Sequence, residues 1–261
     1  MTLYCGQGVT VSCSPLPDGL VDVLQAFGVR EGKNGVSIAA GICTQRNGSD
    51  ESDLAFRLEN QTYFSAPTKQ LFPDGSFPVD FSILATLRAV KGSQSFLLSV
   101  YDERGVQQLG VEIGRSPVFL YEDQLGHPVP EDYPHFRRVN LADGKWHRIA
   151  LSVEGGNVSL SIDCEDPAIL PLKRGMQPIV SVDGATLLAA RRPDEDVFEV
   201  GKIVQKSQIK GTVVSLAGIK TSHRPYDWKE VQEVVKLKDR EPRDNVSDGR
   251  VHNRQQKWLV R

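Results

Sequence analysis

The sequence predicts an all-β fold, an antiparallel sandwich or jelly roll with one short helix near its start, and three observations carry that expectation. From Phe77 onward, short apolar or alternating runs recur at roughly 8–12-residue spacing and are closed by Gly, Asp or Pro, the punctuation of paired strands. In "KWHRIALSVEGGNVSLSIDC" the apolar period is two, as a half-buried strand requires. The "EGGN" inside that stretch has the composition of a tight hairpin turn.

The elements follow in order. In "LVDVLQAF" (20–27), Leu20, Val23, Leu24 and Phe27 share a helical face and Gly28 follows as a stop, predicting a helix. The loop compositions "GKNG" and "QRNGSDESD" flank "VSIAAGIC", a first strand. Further strands are expected in "DFSILATLRA", "SFLLSVYDE", "VQQLGVEIG", "PVFLYED", "RVNLADG", "KWHRIALSVEGG", "NVSLSIDC", "PIVSVDG" and "ATLLAA". In the strand after Lys145, successive side chains point to opposite faces. His147, Ile149, Leu151 and Val153 therefore form the core side, and Trp146, Arg148, Ala150 and Ser152 the other. Val158, Leu160 and Ile162 match the core side across the turn.

With 261 residues, 39% of them hydrophobic, the chain can bury one sizeable core. A net charge of −2 with interspersed signs gives no footprint for nucleic acid, and no run of about 18 apolar residues predicts membrane insertion. The opening "MTLYCGQGVTVSCSPLPDGL" is polar and shows no export signal. Four N-x-[ST] sequons, at Asn47, Asn60, Asn157 and Asn245, fit a secreted glycoprotein. Cys5, Cys13, Cys43 and Cys164 show no C-x-x-C spacing, and Cys43 with Cys164 is a disulfide candidate only if the fold joins them. Residues 220–261 hold eleven Lys or Arg against seven Asp or Glu, so this segment carries +4 and the remainder −6. Its "YDWKEVQEVVKLK" could form a marginal amphipathic helix through Val231, Val234 and Val235, in a tail expected to be poorly ordered.

Chemical candidates are few. His147 is the natural general base or ligand, yet no Ser or Cys nucleophile accompanies it and the neighbouring acid is Asp143, so a structural role is expected. Glu122, Asp123, Glu131 and Asp132 on "YEDQLGHPVPEDYP" could offer oxygen to Ca²⁺, but the spacing fits no ordered calcium loop and a solvated loop is the plainer reading. His127 and His135, eight apart without Cys, are a weak zinc signal. The catalytic, cofactor and metal assignments are therefore none, with Ca²⁺ kept open.

The strings "SAPTKQLFP", "FPVDFSIL", "GRSPVFLYED" and "LADGKWHR" resemble the thrombospondin N-terminal-like domain, a laminin-G-like (concanavalin-like) sandwich at the amino end of fibrillar collagen chains of the type V and XI class. The resemblance covers residues 20–199. It implies an extracellular-matrix module, non-enzymatic, acting in fibril assembly, with collagen chains and other matrix components, proteoglycans among them, as partners. It also implies that "DGKWHR" is a structural signature in which Asp143 and Gly144 make the turn and Trp146 packs a large apolar surface. A lectin-like module binding carbohydrate or glycosaminoglycan with Ca²⁺ is the alternative. Some relatives carry a lysine cluster after the cysteine equivalent to Cys164. Here "DCEDPAILPLKRG" offers acids, then Lys173 and Arg174, which argues against heparin binding there. Arg137 with Arg138 and Arg191 with Arg192 read as solvated edge pairs.

The sequence departs from the family after Glu199. No G-X-Y repeat is present, "VFEV" runs into "GKIVQKSQIKGTVVSLAGI", and the two later cysteines that in the family bridge the equivalents of Cys43 and Cys164 are missing. Two readings stay open: a truncated or incompletely spliced collagen chain, for which Gly201-Lys202 suits a splice-donor junction, or a chain in which "KGTVVSLAGI" supplies the closing strand. The expected organisation is an atypical segment 1–19, the sandwich 20–219, and the basic tail 220–261.

Overall fold

A computed structural model describes residues 20–42, 54–58, 64–189 and 213–220. They form two antiparallel sheets packed face to face, with very little helix.

The first sheet holds β1 (Leu20–Asp22), β2 (Val36–Ala40), β3 (Leu54–Leu58), β5 (Phe81–Arg88), β9 (His147–Glu154), β10 (Asn157–Ile162), β11 (Ala168–Pro171) and β13 (Val213–Lys220). Its order is β11-β10-β9-β5-β13-β3-β2, with β1 also paired to β13. The second sheet, in order, is β4 (Phe64–Pro67), β12 (Ala185–Leu188), β6 (Ser95–Tyr101), β7 (Gln107–Ile113) and β8 (Val118–Tyr121).

The core face read in β9 is observed for Ile149, Leu151 and Val153, but His147 stands outside the core and the opposite face is covered too, with Ala150 and Ser152 buried. Ile149, Leu151 and Val153 are buried in the core, and β10 sets Ile162, Leu160 and Val158 directly opposite them. Glu154 faces Asn157, so Gly155 and Gly156 make a two-residue turn, Gly155 at φ +52°, a backbone region that glycine enters without a Cβ penalty. Phe81, Ile83, Ala85 and Leu87 of β5 join this face, and Leu109, Val111, Ile113, Phe119 and Tyr121 of the second sheet close on it. Fully burying each such Leu, Ile or Phe is worth about 1.5–3 kcal/mol. Phe72, Phe77 and Phe81 pack in series, first tilted and then edge to face, with ring centroids 4.7 and 5.3 Å apart.

Four expectations need correction. The expected helix over 20–27 shrinks to α1 (Val23–Ala26), because Asp22 caps it by accepting the Gln25 N–H at 3.1 Å and Leu20 pairs instead with Lys220 in β13, and a second one-turn helix, α2 (Thr68–Leu71), follows β4. "RVNLADG" is irregular: the Asn140 side chain takes the Ala142 N–H, and Leu141 bonds to Gly114. "PIVSVDG" is irregular too, since Gln108 accepts the Ser181 N–H and Ser181 the Asp183 N–H. Side chains there occupy the backbone groups that a ladder would use. Trp146 is half-buried outside the core, with the Arg88 guanidinium 5.2 Å from its ring centroid, because its parity is opposite to that of Ile149.

β3, β4 and β11 were not foreseen. Val213–Lys220, the "VVSLAGIK" stretch, pairs with β5 along one side and with β3 and β1 along the other. The reading in which it completes the sheet is the arrangement observed. Cys43, Asn47, Asn60, Arg191, Arg192 and Asn245, and the segments 1–19 and 221–261, lie outside the described residues.

Candidate functional site

The chemically richest residues gather in two places, the start of β9 and the loops after β8 and β11.

At the start of β9, Gly144 at φ +84° turns the chain, and the Asp143 carboxylate accepts the Lys145 N–H at 2.8 Å. His147 then points back over this turn. Its Nε2 lies 3.0 Å from Asp143 Oδ1 and its Nδ1 2.8 Å from Asp163 Oδ2. Asp163 also accepts the Arg148 N–H at 2.8 Å. It occupies, with Cys164, a tight turn at φ +51° and +67° closed by the Glu165 N–H on the Ile162 carbonyl at 2.9 Å.

The Asp163 hydrogen bond raises the His147 pKa against burial, with Asp143 adding to the effect. Burial pushes the Asp143 carboxyl up, but the Lys145 N–H and His147 outweigh it and hold it below the usual carboxylate range. With a carboxylate at each ring nitrogen, His147 presents neither nitrogen to a metal or a substrate in this arrangement. The signature residues Asp143, Gly144 and His147 thus form one architectural unit. Asp163 was missed by sequence reasoning, although the register of the 145–164 hairpin places it beside Arg148.

The second place holds the acids first considered for Ca²⁺. Asp123 is buried, and its oxygens accept the N–H groups of Leu125 at 2.9 Å, His127 at 3.0 Å and Gly175 at 2.8 Å. Burial would raise this carboxyl, yet the three N–H groups outweigh it and hold it low. Asp132 pairs with Lys173 at 2.7 Å. Among the described residues, no group of three or more His, Cys, Asp or Glu that could hold a metal occurs. His127 Nδ1 lies 3.2 Å from the Leu125 carbonyl, and His135 is exposed.

Arg174 is committed inward. Its side chain is 3% exposed and reaches Asp80 at 2.6 Å, the Gly155 carbonyl at 2.7 Å and the Val79 carbonyl at 2.5 Å, with its guanidinium 5.7 Å from the centre of the Tyr121 ring. Of the Lys173-Arg174 pair only Lys173 faces solvent, and it is ion-paired. Arg137 and Arg138 are exposed, as expected. Asn157 is exposed at the hairpin turn, and Cys164 is an exposed free thiol among the described residues.

No helix among the described residues is long and apolar enough to cross a membrane. A scan against protein-family models finds no match. Similar solved structures include a Trypanosoma rangeli sialidase complexed with 2,3-difluorosialic acid, at 14% identity and TM-score 0.43, covering 78% of this chain and 30% of that one. Domain 4 of AbnA, a GH43 extracellular arabinanase from Geobacillus stearothermophilus in complex with arabinotriose, matches at 11% identity and TM-score 0.43, covering 76% and 87%. Domains LG4-5 of the mouse laminin alpha1 chain match at 9% identity and TM-score 0.43, covering 85% and 48%. Likenesses this distant carry neither fold, ligand nor activity to this chain.

Proposed function

We propose that this chain is a non-enzymatic interaction module of the extracellular matrix, comparable to the amino-propeptide domain of a fibrillar collagen chain of the type V and XI class. The observation that supports this reading is the state of "DGKWHR": its one chemically versatile side chain, His147, is held at both nitrogens by Asp143 and Asp163. The motif that resembles the family serves architecture, which leaves recognition to loops displayed on a rigid sandwich. Partners are then collagen chains and matrix components such as proteoglycans, met outside the cell. On the same reading Cys43 and Cys164 are bridging candidates, and Asn47, Asn60 and Asn157 carry glycans.

The test measures binding of the full chain to reconstituted fibrils of that collagen class and to heparan sulfate proteoglycan, in EDTA and in Ca²⁺. Saturable fibril binding unaffected by EDTA is expected. Glycan binding that requires Ca²⁺, with no fibril binding, would replace this reading by the lectin-like one, and turnover of a glycoside would overturn its non-enzymatic part. Non-reducing peptide mapping of the secreted chain checks the Cys43 and Cys164 bridge and the three glycans.

A further inference from the structure

Three of the most exposed large apolar side chains sit on two adjoining loops. Leu125 follows β8 and is 70% exposed, while Met176 and Ile179, between β11 and β12, are 103% and 60% exposed. These loops are held together. Gln124 donates to the Gln177 carbonyl at 2.9 Å and accepts the Ile179 N–H at 2.7 Å, Asp123 accepts the Gly175 N–H at 2.8 Å, and Gln108 accepts the Ser181 N–H at 2.7 Å. Apolar side chains fixed in this way face water without the freedom to fold under, the condition of a contact surface.

Acids lie on and beside these loops, with Glu131 next to Asp132, which pairs with Lys173 ahead of Met176. Glu103 Oε2 lies 3.2 Å from Ser181 Oγ, Glu122 reaches toward Gly126 beside Leu125, and Glu131 is exposed on the 3-10 turn Pro130–Asp132. None of the three forms a salt bridge among the described residues, although Arg104 acts electrostatically on Glu103 and Glu122, and the nearby cations Arg104, Lys173 and Arg174 are paired with Asp102, Asp132 and Asp80. The fitting occupant is apolar at its centre and basic at its flanks.

We propose that this patch is the docking surface for the chain's own segment 254–261, "RQQKWLVR". That segment sets Trp258, Leu259 and Val260 between Arg254, Lys257 and Arg261 and contains no acid. Charge favours the match, since residues 220–261 carry +4 and the rest of the chain −6. The exit point favours it too. β13 ends at Lys220 opposite Ser82, two residues from Asp80, whose carboxylate holds Arg174 just ahead of Gly175 and Met176. The chain leaves the sheet at the patch's end of the sandwich. The 33 residues from 221 to 253 separate this segment from β13, and a chain of that length can extend to roughly 100 Å, so its length does not prevent the return. This inference is independent of which matrix partner the module binds.

The test uses the full chain with 5-fluorotryptophan at Trp146, Trp228 and Trp258, read by fluorine NMR against a synthetic 254–261 peptide. Trp258→Phe assigns the resonance. In the unmodified chain the Trp258 signal is expected away from the peptide's position and shielded from acrylamide. Met176→Ser with Ile179→Ser is expected to return it to the peptide's position, as are Glu122→Lys with Glu131→Lys and about 0.5 M salt. An unchanged Trp146 signal shows that each variant folds. A Trp258 signal identical to the peptide's in the unmodified chain overturns the proposal, and so does a shifted signal indifferent to both variant pairs. A shift that grows with protein concentration assigns the patch to a second copy and overturns the intramolecular contact.

Discussion

Asp163 holds the His147 side chain and the backbone of the next residue at once: its Oδ2 meets His147 Nδ1 at 2.8 Å while its Oδ1 accepts the N–H of Arg148, also at 2.8 Å. With Asp143 on the other nitrogen, one imidazole ties the β10 turn, the start of β9 and the loop before it. Charge-assisted hydrogen bonds of this kind are worth about 1.5–3 kcal/mol each.

This clamp makes stability depend on pH from both sides. The His147 pKa is raised in the fold, first by Asp163, so its contribution is complete below the unfolded value near ~6.5 and is lost as pH climbs through the folded one. The Asp143 pKa is lowered, so its contribution is present above the ordinary carboxylate value near ~3.9 and is lost as pH falls through the folded one. Thermal melts across pH are expected to show an alkaline decline that His147→Gln removes. A decline that survives in His147→Gln excludes the clamp as its source. Asp163→Ala is expected to cost about 2–3 kcal/mol in urea denaturation.

Asp123→Ala strands three backbone N–H groups in a buried site and is expected to cost about 3 kcal/mol. The damage is expected to be local, with hydrogen exchange quickening at Leu125, His127 and Gly175 ahead of β9. Asp123→Asn retains an accepting oxygen and should recover part of the loss.

Arg174→Met leaves Asp80 without its cation and two carbonyls without their donors. A loss of about 3–5 kcal/mol is expected in chemical denaturation. Arg174→Lys should restore little, because an ammonium cannot serve three divergent acceptors and cover the Tyr121 ring together.

Ca²⁺ is expected to leave the melting temperature of the chain unchanged. A folded-state site with a Kd one-hundredth of the ion concentration would add about 2.7 kcal/mol. Calorimetry in EDTA and in excess Ca²⁺ checks this, and a rise in Tm would show that oxygen ligands assemble despite the commitments of Asp123 and Asp132.

A chain ended at Thr212 is expected to lose its cooperative melt, because β13 supplies the only strand that pairs with both β5 and β3 among the described residues. Retention of a sharp transition in circular dichroism would show that the sheet closes without it.

Legibility in the sequence followed locality. The β9 and β10 hairpin was fully readable, since the period of two and the Gly155-Gly156 turn fix register within twenty residues. Leu20 was misread because its partner, Lys220, stands two hundred residues away, and in isolation its spacing to Val23, Leu24 and Phe27 is helical. "RVNLADG" and "PIVSVDG" show strand composition, but Asn140 and Gln108 satisfy their backbone instead. At the site, Asp143 and His147 stood in one motif, whereas Asp163 entered through strand pairing. The inward role of Arg174 was not legible, because only the folded chain brings Asp80 and Tyr121 to it.

The position of β13 also sets an order of events. During synthesis, β5 and β3 leave the ribosome more than a hundred residues before the strand that separates them. Until Val213–Lys220 emerges, both must wait with unsatisfied edges, the state most open to wrong pairing with another nascent chain. Such long-range closure folds slowly. The molecule is therefore most vulnerable while it is being made, and a holding chaperone that shields the β5 edge has the most to contribute in that interval.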